Sequence, residues 1–387
     1  MTQTVLLGDI ADIQTGPFGS QLHQEDYVDE GTPIITVEHL GGDRITTQNL
    51  PRVSDDDKQR LTKYWMREGD TIFSRVGSVD RASYVHREED GWLFSGRCLR
   101  VRPDAEKVDP RYLSFVLRSP QFTSYIKSIA VGATMPSVNT KLLSTAPVVL
   151  IPRDAQEKVA ATLDAIEQKI ELNRQMNETL EQMGQVLFHH YFVDNPEAEK
   201  WEEKSLDEIA DFLNGLAMQK YPKVDGEPTL PVIKIREMSS GITANTDIAS
   251  ASIPEQYIVH NGDLLFSWSG TLLVKFWSEG EGALNQHLFK VTSDSYPEWL
   301  YYYWIKHHLD DFISTAKAKA TTMGHIQRKH LKQAKVLVPD DAMMRKIGEQ
   351  IQPLVDAGKK NARQIQTLAT LRDTLLPRLV SGSVVIQ

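Results

Sequence analysis

Two short polar segments carry the side chains best suited to recognising another molecule. The first holds Thr134, Ser137, Asn139 and Lys141, with Arg75 on a separate turn nearby; the second holds Lys317, Lys319, Thr322, Gln327, Arg328 and Lys329. An arginine fork matches the two acceptors of guanine, an Asn or Gln amide matches adenine, and lysine mostly reaches phosphate. Both segments lie in acid-free stretches. Pro110 to Arg153 contains Arg111, Arg118, Lys127, Lys141 and Arg153 but no Asp or Glu. Phe312 to Pro339 contains Lys317, Lys319, Arg328, Lys329, Lys332 and Lys335, again without an acid. The chain as a whole has 43 basic and 52 acidic residues, a net charge of −9, which on its face opposes phosphate binding. Local placement of charge matters more than the total, so these loops are the expected contacts with double-stranded DNA.

No catalytic pattern accompanies them. The chain has no phosphate-binding Gly-x4-Gly-Lys-Ser/Thr loop, no Asn/Asp-Pro-Pro-Tyr/Phe run and no Gly-x-Ser-x-Gly. A metal-dependent nuclease needs clustered carboxylates, and the basic stretches contain none. One cysteine, Cys98, excludes thiolate metal clusters and internal disulfides. His189-His190 and His307-His308 are metal ligands on paper, but adjacent residues point to different sides of a helix, so packing is the expected role and no metal site is assigned. His325 and His330 lie within the second basic stretch, where phosphate contact is open to them. The run Trp299-Leu-Tyr-Tyr-Tyr-Trp304 is rich enough to stack on bases, yet after Pro297 it reads as a helix buried in a core.

What positions the loops is a repeat. Leu7-Gly-Asp-Ile-Ala-Asp-Ile13 matches Leu206-Asp-Glu-Ile-Ala-Asp-Phe212, and Gly69-Asp-Thr-Ile-Phe-Ser74 matches Gly262-Asp-Leu-Leu-Phe-Ser267. Cys98-Leu-Arg-Val101 matches Leu288-Phe-Lys-Val291, Pro110-Arg-Tyr-Leu113 matches Pro297-Glu-Trp-Leu300, and the loops around Met135 and Met323 follow in the same order. A unit of about 190 residues is therefore duplicated. Each copy opens with short β-rich runs between Gly, Pro and Asp turns and a short helix, at Pro110 to Arg118 and at Pro297 to Leu309. Arg75 and Trp268 differ at the matching turn, which fits either two domains reading different bases or ordinary drift.

Each copy closes with a long amphipathic helix. The first seam runs Val159, Leu163, Ile166, Ile170, Asn173, Asn177, Leu180, Gly184, Leu187, in alternating steps of four and three. The second runs Ile347, Ile351, Leu354, Gly358, Asn361, Ile365, Leu368, Arg372, Leu375. Asp154, with Glu157 three residues on, caps the first, and Asp340 or Asp341 the second; Pro196 ends one, Pro377 and Gly382 the other. Asn173 and Asn361 occupy the same seam position and either fix register or face solvent. At 1.5 Å per residue each helix is on the order of 50–60 Å long, more than one DNA turn of roughly 34 Å. The fold class is mixed α/β (α+β): two similar recognition domains separated by two long helices in an antiparallel coiled coil with pseudo-twofold symmetry. The boundaries are 1–151 for the first domain, 152–195 for the central helix, 196–339 for the second domain, and 340–387 for the C-terminal helix and tail.

These residues resemble a known family. Gln185-Val-Leu-Phe-His-His-Tyr-Phe-Val-Asp-Asn-Pro196 is similar to the linker closing the central conserved region of type I restriction-modification specificity subunits. Leu375-Leu-Pro-Arg-Leu-Val-Ser-Gly382 is similar to their C-terminal signature, and the two Gly-Asp strands to their target-recognition domains. The helix openings, Pro152-Arg-Asp-Ala-Gln156 and Pro339-Asp-Asp-Ala-Met-Met344, depart from the family's Pro-Pro and Glu-Gln pattern. The resemblance implies a non-catalytic subunit in which each domain reads half of a split, asymmetric DNA site and the helices set the gap. It further implies two methyltransferase subunits that use S-adenosylmethionine on adenine, and restriction subunits that use ATP and Mg, with no cofactor held by this chain.

Composition narrows the alternatives. Hydrophobic residues are 41% and charged residues 25%, as in a soluble globular protein. No apolar run is long enough to span a bilayer (Ala146 to Ile151 is short and interrupted by Pro147), the N-terminus has no basic leader, and no membrane partner is expected. A cytoplasmic location is the expectation. The competing reading is a non-catalytic coiled-coil scaffold that organises partner proteins without reading DNA; the acidic total favours it and the paired basic stretches oppose it.

Overall fold

A computed structural model describes residues 2–318 and 324–384. The chain divides into two compact units, residues 1–169 with 368–387, and residues 170–367. Each unit therefore holds one recognition domain together with part of each long helix.

The first unit contains a four-stranded antiparallel sheet in the order Ala11–Thr15, Cys98–Pro103, Thr71–Ser74, Ala82–Tyr84. The inner Thr71–Ser74 strand is buried throughout, with Ile72 and Phe73 in the cores on its two faces and the Ser74 hydroxyl hydrogen-bonded at its end. A second, mixed sheet pairs Thr32–Ile35 antiparallel with Arg52–Val53 and parallel with Leu93–Phe94. Gln3–Leu6 pairs with Pro147–Leu150 and ties the start of the domain to its end. The second unit repeats the arrangement. Its antiparallel sheet runs Asp211–Asn214, Leu288–Thr292, Leu264–Ser267, Val274–Phe276. Its mixed sheet centres on Thr229–Ile233 with Ile248–Ser250 and Gly282–Leu284, and Glu202–Ser205 pairs with Lys335–Val338.

The long helices span Arg153–Phe188 and Asp341–Val380. In the first unit Val159, Ala160 and Leu163 share a core with Leu376, Leu379 and Val380 and with the helices Pro110–Arg118 and Pro120–Ile129. In the second, Phe188, Ile347, Ile351 and Val355 join Trp299, Leu300 and Trp304. The aromatic run 299–304 is buried throughout, so it builds the core rather than a stacking platform. Within the second unit Asn173 donates to Gln364 at 2.9 Å and Asn361 to Asn177 at 3.0 Å, so rising numbers on one helix meet falling numbers on the other. The pair is antiparallel. Both seam asparagines are buried, at 0% and 9% exposure, and neither faces solvent.

The helix ends differ in detail from the sequence expectation. Gln156 donates its backbone N–H to the Pro152 carbonyl, so Asp154 lies inside the first turn instead of capping it. Asp340 does cap, accepting from the Met343 N–H at 2.8 Å. The second helix passes through Pro377 because burial of Leu376, Leu379 and Val380 holds the last turn helical; Gly382, at φ 72°, then supplies the left-handed residue that ends it. Among the described residues no helix is long and apolar enough to cross a membrane.

Candidate nucleic-acid interface

Each domain builds the same turn at the end of its Gly-Asp strand. Ser74 Oγ donates to the Ser78 carbonyl and, at 3.1 Å, to the Arg81 carbonyl. Ser267 Oγ makes the same pair, to Thr271 at 2.6 Å and Leu273 at 3.3 Å. A hydroxyl at this position closes the turn, and both copies supply it. The loop after the helix is then stitched to the turn. Val138 N–H donates to Arg75 O at 2.9 Å and Gly77 N–H to Pro136 O at 2.8 Å. Ile326 N–H donates to Trp268 O at 2.9 Å and Gly270 N–H to Gly324 O at 2.9 Å. Gly77 and Gly270 sit at φ 82° and 64°, the left-handed region that a side chain disfavours.

The side chain after the serine changes between copies while its anchor is kept. Arg75 Nη1 donates to the Gly96 carbonyl at 3.0 Å, and Trp268 Nε1 donates to the Gln286 carbonyl at 3.1 Å. Arg75 also lies over the Phe18 ring, 5.9 Å from its centroid. The same backbone therefore presents a guanidinium in one domain and an indole in the other.

The predicted readers other than Arg75 differ in what the fold leaves them. Thr134, Lys141, Lys317, Gln327 and Lys329 are exposed, and Ser137 is half-buried with its hydroxyl on the Val131 carbonyl. Asn139 caps the helix Thr140–Ser144, its Oδ1 accepting from Leu142 N–H at 2.8 Å, and Gln327 precedes the matching helix Arg328–Gln333. Arg328 is tied back, donating to the Phe212 carbonyl at 3.0 Å. Lys319 and Thr322 lie outside the described residues.

The acid-free stretches are not acid-free in space. Arg111 and Arg118 both reach Asp43, at 2.7 and 2.6 Å, and Arg111 also reaches Asp164 at 2.6 Å. Glu167 bridges Arg118 at 3.6 Å and Arg372 at 3.2 Å. Three carboxylates and three guanidiniums thus balance inside the first unit. Burial alone raises the Asp43 carboxyl, but Arg118, His86 and Arg111 override it and hold the group well below the usual carboxylate range. Lys127 pairs with Asp80 at 2.8 Å, Arg153 with Glu157 at 3.0 Å, and Lys335 with Glu203. Part of the basic charge that singled out these segments is therefore paired, in a buried setting for Arg111 and Arg118 and at the surface for Lys127, Arg153 and Lys335.

A cleft beside Arg75 is not legible in the sequence. Its volume is about 830 Å³, and Phe18, Glu38, Arg81 and Arg97 line it with Pro17, His23, Tyr27 and Gly96. Arg81 and Arg97 are exposed, and among the described residues neither they nor Arg75 are ion-paired. These residues come from separate segments, so no run betrays them. One signal was available: Gly16 and Gly215 are matched by the repeat, and a Cβ on either would sit 2.2 or 2.3 Å from the carbonyl of Ser95 or Asn285. The histidine pairs sit among aromatic rings. His189 lies 5.8 Å from the His307 ring, and Trp304 stacks on His308 at 5.8 Å. Burial, then neighbouring His308 and His189, lowers the His307 pKa, and burial lowers that of His308. No group of three His, Cys, Asp or Glu among the described residues is placed to hold a metal ion.

Comparison with known proteins gives the same picture at family level. The model of the type I restriction modification DNA specificity domain matches residues 2–182 and again 198–368. The MjaIX type I restriction enzyme specificity subunit of Methanocaldococcus jannaschii is 23% identical over 306 residues, covering 72% of this chain and 70% of that protein. The HindI specificity subunit of Haemophilus influenzae is 20% identical over 400 residues, covering 82% and 87%. The crystal structure of the type I restriction-modification S subunit from M. genitalium shares the fold, with a TM-score of 0.60 at 15% identity over 98% of this chain and 96% of that one.

Proposed function

Because the chain belongs to the type I restriction-modification DNA specificity family, we propose that it recognises a bipartite, asymmetric DNA target and directs methyltransferase and restriction subunits to it. The observation that carries this reading is the duplicated turn. Arg75 and Trp268 hang from matching carbonyls, so two domains of one architecture offer different chemistry at one place. Recognition of two unlike half-sites requires that combination, and a pure scaffold does not. The chain supplies sequence choice, and catalysis resides in its partners. Docking of those partners on the helices is supported by Leu172, Met176, Met183 and Val186, which leave an apolar stripe exposed along the central helix.

The test is co-expression with the cognate methyltransferase subunits, followed by sequencing of methylated DNA. A split, asymmetric motif that disappears when this chain is omitted is the expected result. A stable complex without sequence preference would favour the scaffold.

A further inference from the structure

The cleft beside Arg75 has a composition that phosphate binding alone does not explain. Arg81 and Arg97 project from its walls, but Glu38 lines the same space, with one carboxylate oxygen accepting from Thr36 Oγ1 at 3.2 Å. A carboxylate repels phosphate. The major-groove edge of a G·C pair, by contrast, offers two acceptors on guanine and an amino donor on cytosine, which arginine and glutamate complement respectively. Arg75, held by the Gly96 carbonyl and the Phe18 ring, forms a fixed flank.

The second domain lacks this set. Trp268 replaces Arg75. Leu273 replaces Arg81, both carbonyls accepting from the turn serine. His287 replaces Arg97, both carbonyls accepting from the residue after that serine, at 3.3 and 2.8 Å. Ile35 and Ile233 pair in the same register with Phe94 and Leu284, so three residues on Arg236 stands where Glu38 does. The guanidiniums at these three places are lost, and the Arg236 guanidinium stands where the first domain has an acid.

We propose that the first domain reads a G·C pair through this cleft, Arg97 with Arg81 donating to guanine and Glu38 accepting from the cytosine amino group. This rests on the DNA-reading function proposed above and names the determinant within it. Arg97 is exposed on a turn, so its replacement leaves the core intact.

The experiment measures methylation by the complex with its methyltransferase on duplexes altered one base pair at a time. In the wild type, one G·C pair of the first half-site is required. Arg97→Ala reduces discrimination at that pair by about 10- to 100-fold, and Glu38→Ala relaxes the same pair. Arg97→Lys also loses discrimination there while keeping the salt dependence, because it retains the charge without the fork. The second half-site and the gap stay unchanged throughout. Arg97→Ala weakening all duplexes equally with a shallower salt slope would make Arg97 a phosphate contact and overturn the proposal. An unchanged motif, or a first half-site without a required G·C pair, would overturn it while leaving the DNA-reading function standing. A wild-type complex with no sequence preference would overturn both.

Discussion

The Asp43 carboxylate accepts two hydrogen bonds from the Arg111 guanidinium, at 2.7 and 2.9 Å. Asp43 lies on a loop of the first domain with its side chain 8% exposed, and through Arg111 and Arg118 it is joined to Asp164 and Glu167 of the central helix. Removing one member of such a network strands its buried partners. Asp43→Asn is expected to destabilise the first unit by about 3–5 kcal/mol. Denaturant unfolding of the full chain checks this, and a loss within experimental error of zero would contradict it.

The same group predicts an acid dependence. The folded pKa of Asp43 lies below its unfolded value of about 3.9, so its ionised form favours the folded state above that pH. The contribution is lost as pH falls through the folded pKa. The stability gap between wild type and Asp43→Asn is therefore constant near neutrality and narrows below about pH 4. Urea midpoints across pH give the comparison.

Two seam glycines give opposite expectations. A Cβ on Gly184 would lie 1.8 Å from Tyr303 Oη, whereas on Gly358 its nearest neighbour would be Asn177 Oδ1 at 3.9 Å. Gly184→Ala is expected to cost about 1–3 kcal/mol through overpacking. Gly358→Ala is expected to be neutral or to stabilise by up to about 1 kcal/mol, the helix propensity gained. Thermal unfolding of the two variants checks both signs.

The long helices were legible because a heptad seam and a duplicated order are properties of the sequence itself. Val159, Leu163, Ile347 and Ile351 are buried as the spacing requires. The glycines in the seam were visible, but the reason for Gly184 was not, because Tyr303 arrives from a helix far along the chain. The basic stretches were visible and incompletely informative. Arg111 and Arg118 looked available only because Asp43, Asp164 and Glu167 are remote in sequence. The Asn139 amide suits base readout by type, but the fold uses its oxygen as a helix cap. The Arg81–Arg97–Glu38 cleft is assembled from scattered turns and could be seen only once the strands were paired.

If the helices set the gap between half-sites, lengthening both must lengthen the gap. Seven residues inserted after Lys169 and seven after Thr367 preserve the heptad and add about 10 Å, or roughly three base pairs at 3.4 Å each. The methylated motif is expected to keep both halves and widen its spacer by that amount, read by sequencing methylated DNA.

The most direct test exchanges one domain. Residues 1–151 are replaced by the corresponding segment of a relative with a different motif, the chimera is expressed with the methyltransferase subunits, and the methylated sites are mapped. The account predicts that one half of the motif changes while the other half and the gap persist. Alteration of both halves, or of neither, would contradict it.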